Sequence, residues 1–153
     1  MKKIILLILP LLLLITGCGE QVDGKLSCER TVQGDSVTIQ ETQYYEVEDS
    51  SAKVLNIQMI ITFNDTSINT SDYLKKLNTA YENYIDKKGI VYSSNLDGKI
   101  ITQNIKIKYA NIDASEFTAD ELAEALPDYN VNISIEKTKD ELEADSYVCS
   151  LKK

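Results

Sequence analysis

Histidine is absent from this 153-residue chain, which removes the commonest general base and metal ligand. Ser-His and Cys-His catalysis and His-zinc sites are thereby excluded. Cysteine is scarce, at three, and glycine, at six, is too scattered for a Walker loop, a dinucleotide fingerprint or an EF-hand. Positive charge is also in deficit. Sixteen Lys+Arg stand against 24 Asp+Glu, a net charge of -8, which argues against nucleic acid and against an electrostatic grip on anionic lipid. These absences leave no enzyme class indicated, and no metal or cofactor is expected.

Long apolar runs are missing too, except at the start. After Met1, Lys2 and Lys3, residues Ile4 to Ile15 are almost wholly aliphatic, broken only by Pro10. A helix of that length covers about 18 Å, well short of the roughly 30 Å hydrocarbon core. The stretch therefore reads as a secretory signal, residues 1–17, and not as a membrane span. Ile15-Thr16-Gly17-Cys18 looks like a bacterial lipobox, which implies cleavage before Cys18, diacylglycerol on its thiol and acylation of the new amino terminus. Loss of Lys2 and Lys3 with the leader leaves 14 basic against 24 acidic groups, a net of -10. Residues 18–24 are a lipidated cysteine and polar tether, reaching about 20 Å. Residues 25–153 are expected to form a single domain with room for one core.

With Cys18 assigned to lipid, Cys28 and Cys149 become an even pair in an exported, oxidising setting. They are the natural disulfide; the alternative is two free thiols in a reducing compartment.

From Lys25 the pattern has period two. Leu26, Cys28 and Val32 mark the buried row of a first strand, and Val37, Ile39, Tyr45 and Val47 that of a second. Glu41 and Gln43 fall on the second buried row, which predicts a bulge or an overrunning strand end. Leu55, Ile57, Met59, Ile61 and Phe63 give the clearest alternation, expected of a central strand. The period then changes to 3.6 at Tyr73, Leu74, Leu77, Ala80, Tyr81, Tyr84 and Ile85. This predicts a main amphipathic helix over about 72–88, capped by Thr70 or Ser71 and closed by Lys87-Lys88-Gly89. Two strands follow across Asp97-Gly98, a hairpin signal. Thr118 and Thr138 each open a capping box over a short helix. Tyr129 to Ile135 alternates as a further strand, and Ser146 to Leu151 brings Cys149 back as the last one.

The order reads as α+β, an antiparallel sheet packed on one face by the main helix, with two short capped helices and a C-terminal strand. The lipobox at Cys18, the Leu26-x-Cys28 strand, three strands before a Tyr-rich helix, the hairpin, and Tyr147 two residues before Cys149 together resemble the small YehR-like bacterial lipoproteins. That resemblance implies an anchored α+β domain and carries over no catalytic or ligand residue.

The expected role is a cell-envelope lipoprotein held at the cell membrane through lipid on Cys18, facing outside the cytoplasm and binding or scaffolding a partner. A surface adhesin or structural protein is the alternative, and a small hydrolytic enzyme a more remote one. Residues alternating with the buried rows make the candidate binding face: Gln40 and Tyr44 on the second strand, Gln58 on the third, Asn104 on the fifth. Their amide and hydroxyl groups suit an envelope glycan or a protein partner. Against this stands the ordinary reading of a polar sheet face left to water. Glu116, Asp120, Glu121, Glu124 and Asp128 read as a solvated acidic helix face before a Ca²⁺ site, and the tyrosines as core before ligand platforms.

Overall fold

The computed structural model describes residues 23–85, 87–126 and 128–152, with the side chains of 123–125 left aside. The leader, Cys18 and the tether to residue 22 lie outside the described residues.

Six strands form one open antiparallel sheet: β1 (Gly24–Gln33), β2 (Val37–Glu48), β3 (Ser51–Phe63), β4 (Ile90–Asp97), β5 (Ile100–Lys108) and β6 (Val148–Lys152). Their order is β4-β5-β3-β2-β1-β6, so β3, the strand with the clearest alternation, has partners on both sides. Strict alternation lets each strand send one row of side chains to a single inner face. Leu26, Ile61 and Ile101 of those rows are fully buried, each worth roughly 1.5–3 kcal/mol. Val32, expected inside, is exposed where β1 outruns the core. The β4–β5 hairpin turns through two residues, the first being Gly98 at φ +58, a value costly for any residue with a Cβ.

Helix α1 (Thr70–Tyr81) is shorter than the periodicity suggests. Asn69, not Thr70 or Ser71, caps it, accepting from the Asp72 N–H at 3.1 Å. Its end tightens into a 3-10 turn at Glu82–Tyr84, and Lys87 never reaches the helix terminus. The Lys87 ammonium instead donates to the Glu116 carbonyl at 2.6 Å, pairs with Glu121 at 3.2 Å and lies 4.2 Å over the Phe117 ring. Gly89 does adopt the positive φ expected of it, +88.

Helix α2 (Ala119–Ala125) starts at the Thr118–Glu121 capping box. The stretch 129–135 is not a strand. Asn130 at φ +56 interrupts it, one isolated bridge joins Ser51 and Asn132, and Ile135 opens a helix. That helix, α3 (Ile135–Ala144), is capped by Ser134 and not by Thr138, which falls inside it. Among the described residues no helix is long and apolar enough to cross a membrane.

Buried side chains gather in two clusters. The larger joins Leu26, Cys28, Tyr45, Leu55 and Ile107 to Phe117, Leu126 and Ile135 from the C-terminal segments; the smaller centres on Ile61, Phe63 and Ile101 beneath Leu74 and Leu77 of α1. What lies between them is mostly polar, with Met59 the apolar member.

Candidate functional site

One row of residues runs straight across the inner face between the two clusters: Arg30, Glu41, Met59, Gln103 and Ser94, each opposite the next in register. Glu41 is accommodated without a bulge; the register shift falls at Glu46/Val47 instead. The Arg30 guanidinium donates to one Glu41 oxygen from both Nε (3.2 Å) and its terminal nitrogen (2.9 Å). The Gln43 amide donates to the other Glu41 oxygen and to the Tyr147 hydroxyl, both at 2.9 Å, and Arg30 lies 4.4 Å over the Tyr147 ring. Burial pulls the Glu41 carboxyl up, but hydrogen bonds from Gln43, Tyr147 and Arg30, with the Arg30 charge, hold it below its ordinary range. Burial and the Glu41 charge together push Tyr147 up to about 12. With these contacts made, the cluster is a satisfied structural pin across β1, β2 and the approach to β6.

The other end of the row ties α1 to the sheet. Gln103, 1% exposed, donates to the Tyr92 hydroxyl at 3.2 Å; Tyr92 and Ser94 donate to Asn78 of α1 at 2.8 and 2.7 Å. Tyr81 of α1 stacks on Tyr92 with centroids 5.1 Å apart, and Tyr73 meets Phe63 edge-on at the same separation. Rings and amides thus stand between helix and strands, and α1 itself has no buried residue.

A cavity of about 610 Å³ opens in consequence, within the ~300–1,000 Å³ typical of small-molecule sites. Its floor is Leu55 and Ile57 of β3, Ile105 and Ile107 of β5, Ile90 and Tyr92 of β4, and Tyr45 of β2. Leu77, Ala80 and Tyr81 of α1, with Tyr84, form its roof, and Asp128 is the charged group in its lining. Asp128 comes from the loop between α2 and α3 and makes no hydrogen bond or ion pair among the described residues. Its carboxyl is raised by burial and then by the Glu141 charge. Burial and next Asp128 raise Tyr45 to about 12, and the same two causes raise Tyr109. The Tyr109 hydroxyl is buried with no hydrogen-bond partner among the described residues.

The expected binding residues stand on the opposite, outer face. Gln58 donates to Asn104 across β3 and β5 at 3.0 Å; the two flanking rows hold Tyr44, opposite Asn56, and Gln40, opposite Ile60. The structure bonds Gln58 to Asn104, sets Gln40 beside Gln58 in a small hollow of about 180 Å³ lined also by Glu29, Thr42 and Ile60, and gives Tyr44 no hydrogen bond to any of them. Pairing by β1 adds Glu29 to this face, and Lys25 bonds Glu46 on it at 3.2 Å. Of the acidic group, Glu121 serves the capping box and Lys87, and Glu116 accepts from the Lys88 N–H; the Glu124 side chain lies outside the described residues. No three Asp, Glu, Cys or His side chains converge among the described residues. Cys28 and Cys149 are disulfide-bonded.

The cavity escaped sequence reasoning because Tyr45, Tyr81, Tyr84 and Tyr92 carry the same periodicity as core residues. The one sequence signal was Asp128, a charge just before the apolar Tyr129–Ile133 stretch.

No family model and no curated protein matches the sequence. The fold is similar to that of the E. coli YehR protein, solved by NMR, at 14% identity and a TM-score of 0.54, covering 83% of this chain and 91% of that one. It is likewise similar to the NMR structure of a protein from Streptococcus pneumoniae TIGR4, at 14% identity and a TM-score of 0.52, covering 86% of this chain and 87% of that one. These likenesses establish a YehR-like fold.

Proposed function

We propose that the chain is an exported lipoprotein, anchored in the cell membrane through Cys18 and facing outside the cytoplasm, whose domain binds a small, largely apolar molecule in the cavity beneath α1. The cavity carries the binding half of this reading: it is concave and mostly apolar, with one carboxyl, that of Asp128, in its lining. The outer face is less suited, because its hollow beside Gln40 and Gln58 is only about 180 Å³ and Gln58 and Asn104 already bond each other. Binding fits better than catalysis. The strongest charged cluster, Arg30 with Glu41, is spent on its own neighbours, and Asp128 is the one charged side chain in the cavity's lining.

The anchor rests on the lipobox and on cysteine pairing, since the Cys28–Cys149 bond leaves Cys18 as the odd thiol. A single acyl chain gives a binding constant of only about 10⁴ M⁻¹, so stable retention requires two or more chains. In cells fed an alkyne fatty acid, the protein should take up label and partition into detergent, and Cys18→Ala should do neither. A Cys18→Ala protein still held in membranes after high-salt washing would overturn the anchor. For the cavity, the disulfide-bonded domain should bind 4-phenylbutanol, with NMR shifts in Ile57, Ile105 and Leu77. Leu77→Trp, which intrudes on the space from the roof, should weaken that binding while the protein stays folded. Affinity and Ile57 and Ile105 shifts both unchanged by Leu77→Trp would remove the site from the cavity.

A further inference from the structure

We infer that the ligand of this cavity is an organic cation: an amine or ammonium group meeting Asp128, with an apolar body lying along the strands. The inference rests on the binding role proposed for the cavity and names its ligand class.

Charge is the first argument. Asp128 lines the cavity with neither Lys nor Arg beside it in the lining, and it has no hydrogen bond or ion pair among the described residues. Glu141 of α3 is near enough to act on Asp128, adding a second negative charge behind the first. Lys87, whose ammonium lies 6.0 Å from the Tyr84 ring centroid, is held by Glu121 and the Glu116 carbonyl. Arg30 is taken by Glu41. An anionic ligand would set its charge against Asp128 with nothing to offset it, whereas a cation supplies the missing partner.

The rings are the second argument. Tyr45, Tyr81, Tyr84 and Tyr92 all line the same space, and tyrosine faces attract cations through their quadrupole. A cavity needing only apolar volume could be walled by Leu and Ile throughout. Here aliphatic side chains of β3 and β5 supply the bed for an apolar body, with Tyr45 and Tyr92 beside them in the floor and Tyr81 and Tyr84 in the roof.

The unused donor is the third argument. Tyr109 is 7% exposed and its hydroxyl has no partner among the described residues, a buried group that carries a cost until something satisfies it. Asp128 is close enough to raise both Tyr109 and Tyr45.

Three probes of one shape separate the possibilities: 4-phenylbutylamine, 4-phenylbutanol and 4-phenylbutyrate, titrated calorimetrically into the mature, disulfide-bonded chain at neutral pH. The amine should bind roughly tenfold tighter than the alcohol, and the carboxylate roughly tenfold weaker. Asp128→Asn should bring the amine to the level of the alcohol and leave the alcohol unchanged. Tyr84→Leu, which keeps an apolar side chain and removes one ring face, should weaken the amine roughly threefold and spare the alcohol. Equal affinity for all three probes in the unaltered chain would overturn the cation while leaving an apolar site standing. An amine preference that persists in folded Asp128→Asn would also overturn it, placing the cation on the acidic surface. Failure of the alcohol and the amine alike to bind would overturn the cavity reading itself.

Discussion

Cys28 and Cys149 stand directly opposite each other on neighbouring antiparallel strands, their Cα atoms 4.1 Å apart across a separation of 121 residues. The short edge strand β6 reaches the sheet through β1 alone, so this bond fixes the end of the domain to its beginning. The same strand end places Tyr147 against Arg30 and Gln43.

Reducing the bond should lower stability by about 2–4 kcal/mol, the usual effect of closing so long a loop. Urea midpoints with and without dithiothreitol measure it. Coincident curves would mean that the packing of β6 is sufficient without the crosslink.

Glu41 gives the acid side of the stability curve its shape. Its folded carboxyl titrates below its ordinary value of 4.5, so its contribution is complete above that pH and fades as pH falls through the lower folded value. Glu41→Gln should therefore flatten the acid limb. At neutral pH it should cost about 1–3 kcal/mol, the discount from a buried pair reflecting the partly exposed Arg30. Chemical denaturation at a series of pH values between 3 and 7 tests both statements.

Tyrosines act on the alkaline side with the opposite sign. Tyr45 and Tyr147 are raised from 10.0 to about 12, so the stability they carry is complete below 10 and is lost as pH climbs through 12. Absorbance at 295 nm should show part of the phenolate signal arriving late, together with unfolding. Tyr45→Phe should remove one late titration and reduce the alkaline loss.

The two positive-φ glycines should differ in how they tolerate a methyl group. A Cβ on Gly98 meets nothing within 4 Å, so Gly98→Ala should cost only the backbone penalty, about 1–2 kcal/mol. On Gly89 it would sit 2.8 Å from the Ile112 side chain and 2.9 Å from backbone atoms of Ile112 and Lys108. Gly89→Ala should therefore cost more, about 2–4 kcal/mol, as thermal melts of the pair would report.

Replacing Gln40, Tyr44, Gln58 and Asn104 together with Ala should leave binding of 4-phenylbutanol untouched. The exposed Gln58–Asn104 bond it removes is worth under about 1 kcal/mol. Loss of binding in the folded variant would return the site to the outer face.

Sequence alone determined which residues alternate on the strands, the hairpin at Gly98, the Thr118 cap and the pairing of cysteines by count. Each depends on chemistry within a few residues or on simple parity. Tertiary structure decided the rest. Glu41 looked like a fault in a buried row until Arg30, eleven positions earlier, was placed opposite it by the β1–β2 register. Lys87 looked like a helix terminator until Glu116, Glu121 and Phe117 drew it away. The alternation over Tyr129–Ile135 promised a strand, but Asn130 turned the chain and Ser134 began a helix. The cavity is the extreme case: it is the space left where Tyr81 meets Tyr92 and Asn78 meets Tyr92 and Ser94. Periodicity says which way a side chain points, but the distance between two elements is set by the side chains that meet from both of them.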